Sequence, residues 1–218
     1  MELPIKTESI GLTEPDLTRI FSLYSSRLAY HNFEHVIDVL LAAEKILQDC
    51  TNADIPINRK VVNLAILFHD AGYAENHNKL GFSTKEAYSA YLAKEFLEEK
   101  KFSTALISQI QSAILATEKN GKFSDPESKV VRAADLYGLS LHYNIFLENA
   151  KKIKTEFELL KGHSIEWQEW KHATVELLKE FVSREIELTP FFSSNGGPSQ
   201  FYLKVIANLE RFLYQPDS

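Results

Sequence analysis

The sequence predicts an all-α protein, a bundle of about 8–10 helices. Three observations carry that prediction. Capped segments with apolar residues at helical spacing follow one another along the chain, no alternating strand pattern persists, and no internal repeat is present. Hydrophobic residues make up 44% and charged residues 25%, with only 8 Gly and 7 Pro, which excludes disordered, collagen-like and low-complexity chains.

The elements follow in order. Thr13 is the expected N-cap of the first helix, with Pro15 in its first turn and Asp16 at the capping-box position, and the helix runs to about Tyr24. Asn32 caps the second, to about Gln48, and Thr51 to Pro56 is a polar link. Asn58 caps the third, which stops at Asp70-Ala71-Gly72, where the glycine suits a left-handed terminal position. Tyr73 to Gly81 is a polar loop. Ser83 opens a fourth helix, to Lys100, and Ser103 a fifth, to about Thr117. Asn120-Gly121 and Asp125-Pro126 punctuate before a sixth through Leu139. Helical patterns from Tyr143 to Leu160, Ser164 to Arg184 and Ser199 to Leu213 complete the chain. Ser193 to Pro198 is the one flexible-looking linker and lies too near the C-terminus to divide two domains, so a single domain over 1–218 is expected.

Thirty acidic residues against 24 basic ones give a net charge of -6. That sign disfavours general binding to nucleic acid or to an anionic membrane and points to a small or locally guided substrate. The longest apolar run, Val61 to Phe68, is far short of the roughly 20 residues that span a bilayer. The single Cys50 cannot form an intramolecular disulfide, and no basic-apolar-small leader opens the chain. A cytoplasmic location is the expectation.

Ionisable groups inside apolar helices mark candidate chemistry. On the second helix Val39, Ala42 and Ile46 fall within about 40° of His35, so His35 points inward. His31 lies on nearly the same face one turn earlier, if the helical turn extends to it. Both also suit core histidines hydrogen-bonded to backbone. The third helix is apolar nearly all round yet ends in His69-Asp70. A buried carboxylate needs a cation, a metal or a dense set of donors, unless Asp70 caps a neighbouring element. Asp135 sits among apolar neighbours in Val130 to Leu136, where an i,i+3 pair with Arg132 is the plainer explanation. His35, His69, Asp70 and Asp135 form a mixed nitrogen and oxygen set that suits Mn, Fe, Co, Ni or Zn, and Mg where water completes the shell.

The order His, His-Asp, Asp on successive helices resembles the HD superfamily of metal-dependent phosphohydrolases. Within it the chain more closely resembles a small bacterial group of predicted HD phosphohydrolases, in Tyr30-His31-Asn32-Phe33-Glu34-His35, Leu67-Phe68-His69-Asp70-Ala71-Gly72-Tyr73 and Ala133-Ala134-Asp135-Leu136. The likeness covers residues 20 to 140, a motif-bearing core onto which helices of 141–218 are expected to pack. Tyr30-His31-Asn32 followed by His35 also looks like a segment of cyclic-nucleotide phosphodiesterases, in which the first histidine protonates the leaving group and the second binds metal. Those enzymes carry another histidine shortly after their His-Asp, whereas Ala71-Gly72-Tyr73 follows here and the next histidine is His77. That different spacing does not favour cyclic nucleotides, and the glutamine and aromatic clamp that grips the purine in those enzymes is not located in this sequence either.

The resemblance implies a metal-dependent phosphohydrolase cleaving a small phosphoester, a nucleotide being the expected class. One or two divalent ions would generate a hydroxide that attacks phosphorus in line with the leaving oxygen. It implies His35, His69, Asp70 and Asp135 as ligands, Asp70 also bridging to a second ion, and His31 as general acid. Lys79, Lys85, Lys119, Arg27 and Arg132 are the cations nearest the motifs for phosphate charge, most of them reading as solvated surface. Glu86 is a candidate for orienting water, and Thr117 for reaching the substrate or, equally, for capping its helix. Trp167, Trp170, Phe181, Phe191 and Phe192 read as core or an oligomer contact, which leaves a homodimer open. His142 is a remote candidate for lining the same cavity. The competing classes are a metal-containing sensing module without turnover and HD chemistry on a substrate other than phosphate.

Overall fold

A computed structural model describes residues 3–214, which form ten α-helices and no strands. They divide into two compact units at Asp135–Leu136. Residues 1, 2 and 215–218 of the expected single domain lie outside the described residues.

The first unit opens with α1 (Thr7–Ile10), a single turn too short to leave a periodic signal, closed by Gly11 at φ 81°. Helix α2 (Glu14–Phe21) starts as its sequence requires, with the Thr13 N–H and hydroxyl both donating to Asp16 Oδ2 at 2.9 and 2.7 Å. It stops short of Tyr24, whose buried hydroxyl instead donates to the carbonyl of Leu67 at 2.9 Å. In α3 (Phe33–Asn52) Asn32 Oδ1 accepts from Glu34 N at 2.9 Å and His35 N at 3.4 Å. This helix runs a turn beyond Gln48, with the Thr51 hydroxyl bonded back to Leu47 O.

Helix α4 (Arg59–Phe68) is capped by Asn58 and buried at every position from Val61 to Phe68. Helix α5 (Lys85–Glu99) begins at Thr84 rather than Ser83, because the Thr84 hydroxyl accepts from Ala87 N at 3.0 Å. Ser103 caps α6 (Thr104–Leu115). Helix α4 touches α1, α3, α5 and α6, which explains why it is apolar all round: it has no wet face. Helix α7 (Pro126–Leu136) starts where Asp125 accepts from both the N–H and the hydroxyl of Ser128 at 2.8 Å.

In the second unit the expected helix through Leu139 gives way to a tighter 3-10 turn, Tyr137–Ser140. Helix α8 (Tyr143–Lys161) follows, then α9 (Trp167–Val182), which begins three residues after the expected Ser164, and α10 (Gln200–Tyr214). Helix α10 packs on α8, α9 and the turn, where the Asn208 amide donates to the carbonyls of Leu139 and Leu141 at 2.8 and 2.9 Å. Trp170 and Phe192 are buried here, Phe192 meeting Phe191 edge-to-face and Phe201 at a tilt. No helix among the described residues is long and apolar enough to cross a membrane.

Candidate metal centre

The end of α4 is held from several sides. Tyr24 takes the Leu67 carbonyl, the Ser89 hydroxyl of α5 donates to the Ala71 carbonyl at 2.8 Å, and Gly72 N–H donates to the Leu23 carbonyl at 3.0 Å. Gly72 has φ 73°, and a Cβ there would stand 2.5 Å from Tyr88 Cε1. His69 and Asp70 are therefore presented by a turn with little freedom.

His69 Nδ1 lies 2.8 Å from the Ile66 carbonyl, which can only accept, so Nδ1 carries a proton and Nε2 faces the cluster. His69 Nε2 stands 3.0 Å from Asp70 Oδ2 and 3.7 Å from Asp135 Oδ1. His35 Nε2 lies 3.3 Å from Asp135 Oδ1 and 3.6 Å from Asp70 Oδ2. His35, His69 and Asp70 are buried, and Asp135 is half-buried. Ligand atoms about 2.1 Å from a common ion lie about 3.0–4.2 Å apart, and each of these four His–Asp separations falls in that range. One ligand atom from each of His35, His69 and Asp135 lies within 4.8 Å of the others.

Two atoms argue for an ion more directly than the distances. His69 Nε2 and Asp70 Oδ2 are fully buried and face each other without a well-directed hydrogen bond. Burial disfavours a charged imidazole, but the carboxylates of Asp70 and Asp135 outweigh it and raise His69 to about 9. For Asp70, burial pushes the carboxyl up, yet the charges of His69, His31 and His35 prevail and hold it below the usual range. The cluster thus favours positive charge among its carboxylates, which a proton on His69 or a divalent cation can supply.

His31, half-buried ahead of α3, joins the same group. Its ring stands edge-on to His35 with centroids 5.8 Å apart and lies flat on Tyr73 at 3.8 Å and 11°. The Lys85 ammonium sits 3.3 Å from the Tyr73 ring centroid and donates to the Tyr73 carbonyl at 2.8 Å. Sequence reasoning did not find Tyr73; its only signal is an aromatic residue directly after the glycine that ends the His-Asp turn.

The weaker candidates separate. Glu86 is half-buried, and burial, reinforced by Asp70, Glu118 and Asp135, raises its carboxyl above the usual range, so it shares the field of the cluster. Lys79 is exposed in a loop where its N–H donates to Asn76 Oδ1. Lys119 is half-buried. The Thr117 hydroxyl is buried and donates to the Ile114 carbonyl at 2.8 Å, which fits the capping alternative. Arg132 is not a surface cation: it is fully buried and donates to the carbonyls of Ala116 and Glu118 at 2.6 and 2.8 Å. His142, exposed in the second unit, accepts from Asn144 N at the start of α8.

Residues 32–138 match the family model for the HD domain. The matched segment starts at the cap of α3 and takes in His35, His69, Asp70 and Asp135, with His31 one residue ahead of it. No curated protein matches the chain.

Proposed function

Residues 32–138 are an HD domain, and from that premise we propose that the protein is a metal-dependent phosphohydrolase cleaving a small phosphoester, a nucleotide being the favoured class. The HD domain suggests a metal-dependent hydrolase. The observation that carries the reading is the pair of buried, facing atoms His69 Nε2 and Asp70 Oδ2, flanked by His35 and Asp135. Those four residues would hold the ion, and their mixed nitrogen and oxygen donors suit Mn, Fe, Co, Ni or Zn, or Mg with more water. When bound, such an ion makes water acidic enough to ionise near neutrality and offsets phosphoryl charge.

The chain's own groups supply the rest. His31 lies at the cluster without belonging to the set of buried ligand atoms, the position a proton donor needs. As the water oxygen bonds to phosphorus and the bond to the leaving oxygen breaks, the electron pair stays on that oxygen. His31 gives it a proton, and the attacking water releases one to the surrounding solvent, from which His31 is reprotonated. Glu86, on the first turn of α5 and within the field of Asp70 and Asp135, would orient that water. A cytoplasmic location accords with the buried, unpaired Cys50.

The test is the metal content of protein purified without added metal or chelator, wild type beside Asp70→Ala, followed by phosphomonoesters and phosphodiesters offered with Mn, Mg, Fe, Co, Ni and Zn. Stoichiometric metal that is lost in the variant, with turnover restored by one of these ions, supports the reading. Metal bound without turnover of any phosphoester points to a sensing module instead. If neither protein takes up an ion, the site is structural.

A further inference from the structure

We propose that Tyr73 is a positioning residue for His31, and that Lys85 locks Tyr73 in place. The inference rests on the reading of His31 as proton donor and adds to it the part of the chain that aims the imidazole. Its basis is a three-layer stack. The His31 and Tyr73 rings are 3.8 Å apart and 11° from parallel, and the Lys85 ammonium is 3.3 Å from the same ring centroid. Imidazole and ammonium cannot share one face at those distances, so the phenol ring is held between them.

A face-on contact has a specific consequence for an acid. It fixes the plane of the imidazole while leaving both nitrogens, which lie in that plane, at the ring edge. Tyr30 and His35 meet His31 edge-on, at 84° and 81°, so they border the ring without covering the face taken by Tyr73. The restraint reaches back to the ligands through short connections. Tyr73 N–H donates to the Asp70 carbonyl at 3.1 Å, so the ring that aims His31 hangs from the residue that holds the metal. Lys85 grips the same residue twice, on its ring and on its carbonyl, from the first position of α5. The stack therefore ties three elements, the entry to α3, the His-Asp turn and the start of α5, into one register. The adjoining loop residues 74–81 are exposed apart from half-buried His77, so this restraint is confined to the loop's first residue.

A misaimed acid matters only when the leaving group needs a proton. The experiment compares an alkyl phosphoester with a p-nitrophenyl ester of the same phosphoryl group, using wild type, His31→Ala, Tyr73→Phe, Tyr73→Ala and Lys85→Met, each checked for metal content. Tyr73→Phe keeps the stack and is expected within about threefold of wild type on both esters. Tyr73→Ala is expected to lose about 10–100-fold in kcat on the alkyl ester and under about threefold on the aryl ester, with metal retained. Lys85→Met is expected to show the same selectivity in smaller degree. Equal losses on both esters in Tyr73→Ala, or none, while His31→Ala keeps its selective loss, would overturn the inference and leave the proposed function standing. A His31→Ala variant without leaving-group selectivity would remove His31 from proton transfer and the inference with it.

A second readout needs no turnover. The His31 ring protons, assigned by their disappearance in His31→Ala, should be shifted upfield by the Tyr73 ring current in wild type and Tyr73→Phe and move downfield in Tyr73→Ala. Unchanged shifts in Tyr73→Ala would show that the rings do not stack in solution and overturn the inference even for an inactive protein.

Discussion

His69 Nε2 and Asp70 Oδ2 lie 3.0 Å apart at the end of α4, both fully buried and neither engaged in a well-directed hydrogen bond. Adjacent residues rarely turn a base and a carboxylate toward one point in an apolar interior, because desolvating them costs several kcal/mol. The arrangement makes the site a competition between a proton and a cation.

That competition sets a pH dependence. In metal-depleted protein His69 is raised from 6.5 to about 9, so the folded state binds its proton more tightly than the unfolded chain. Its contribution to stability is complete below about pH 6.5 and is lost as pH rises through about 9. Urea unfolding of metal-depleted protein should therefore show stability falling across that window, and His69→Gln should flatten the fall. A divalent ion must displace the same proton, so its apparent affinity should rise with pH up to about 9, by about tenfold per unit for one proton. Calorimetric titration at several pH values checks it, and an affinity flat in pH would mean no proton leaves.

Gly72→Ala should be strongly destabilising. The position has φ 73°, and the added Cβ would stand 2.5 Å from Tyr88 Cε1 and 2.9 Å from Leu92 Cδ1. The left-handed backbone costs about 1 kcal/mol and overpacking about 1–3 kcal/mol more. Chemical denaturation measures the loss. Metal affinity should fall with it, since Gly72 sits two residues from Asp70.

Arg132→Met should cost about 3 kcal/mol of stability, because it strips the donor from the carbonyls of Ala116 and Glu118, which follow the end of α6. Denaturant unfolding of the variant beside wild type is the check. A shift of a few tenths would mean that water satisfies both carbonyls.

Thr117→Val should lower stability by about 1 kcal/mol, the usual worth of the buried hydrogen bond to Ile114 O, and leave kcat and KM on any turned-over phosphoester unchanged. A selective rise in KM would return Thr117 to the substrate side.

Much of this protein follows from local rules. Helical period alone turns His35 inward, and the all-apolar run of α4 ending in His69-Asp70 places a charge where an unpaired one cannot survive. Asn32, Asn58 and Ser103 cap their helices as side chains of their type do anywhere. These are short-range effects, decided within a turn or two of chain, and they sufficed to predict an all-helical fold and to single out His35, His69, Asp70 and Asp135 as candidate ligands, of which the structure gathers His35, His69 and Asp135 within 4.8 Å of one another.

What remained undecided depends on packing between elements far apart in sequence. Periodicity marks a residue as buried but not what it meets there. Thr117 could cap or contact substrate, and Arg132 could pair with Asp135 or turn away, until the end of α6 was set against α7. The contacts that no local rule reaches are the stacking of Tyr73 on His31, the grip of Lys85 on Tyr73, and the holding of α4 by Tyr24 and Ser89. Each joins groups from different helices and loops, and an aromatic face or a hydroxyl fits many partners equally well. Tertiary structure selects the partner because the helices must pack their apolar faces first, and that packing fixes which polar and aromatic groups are left facing one another.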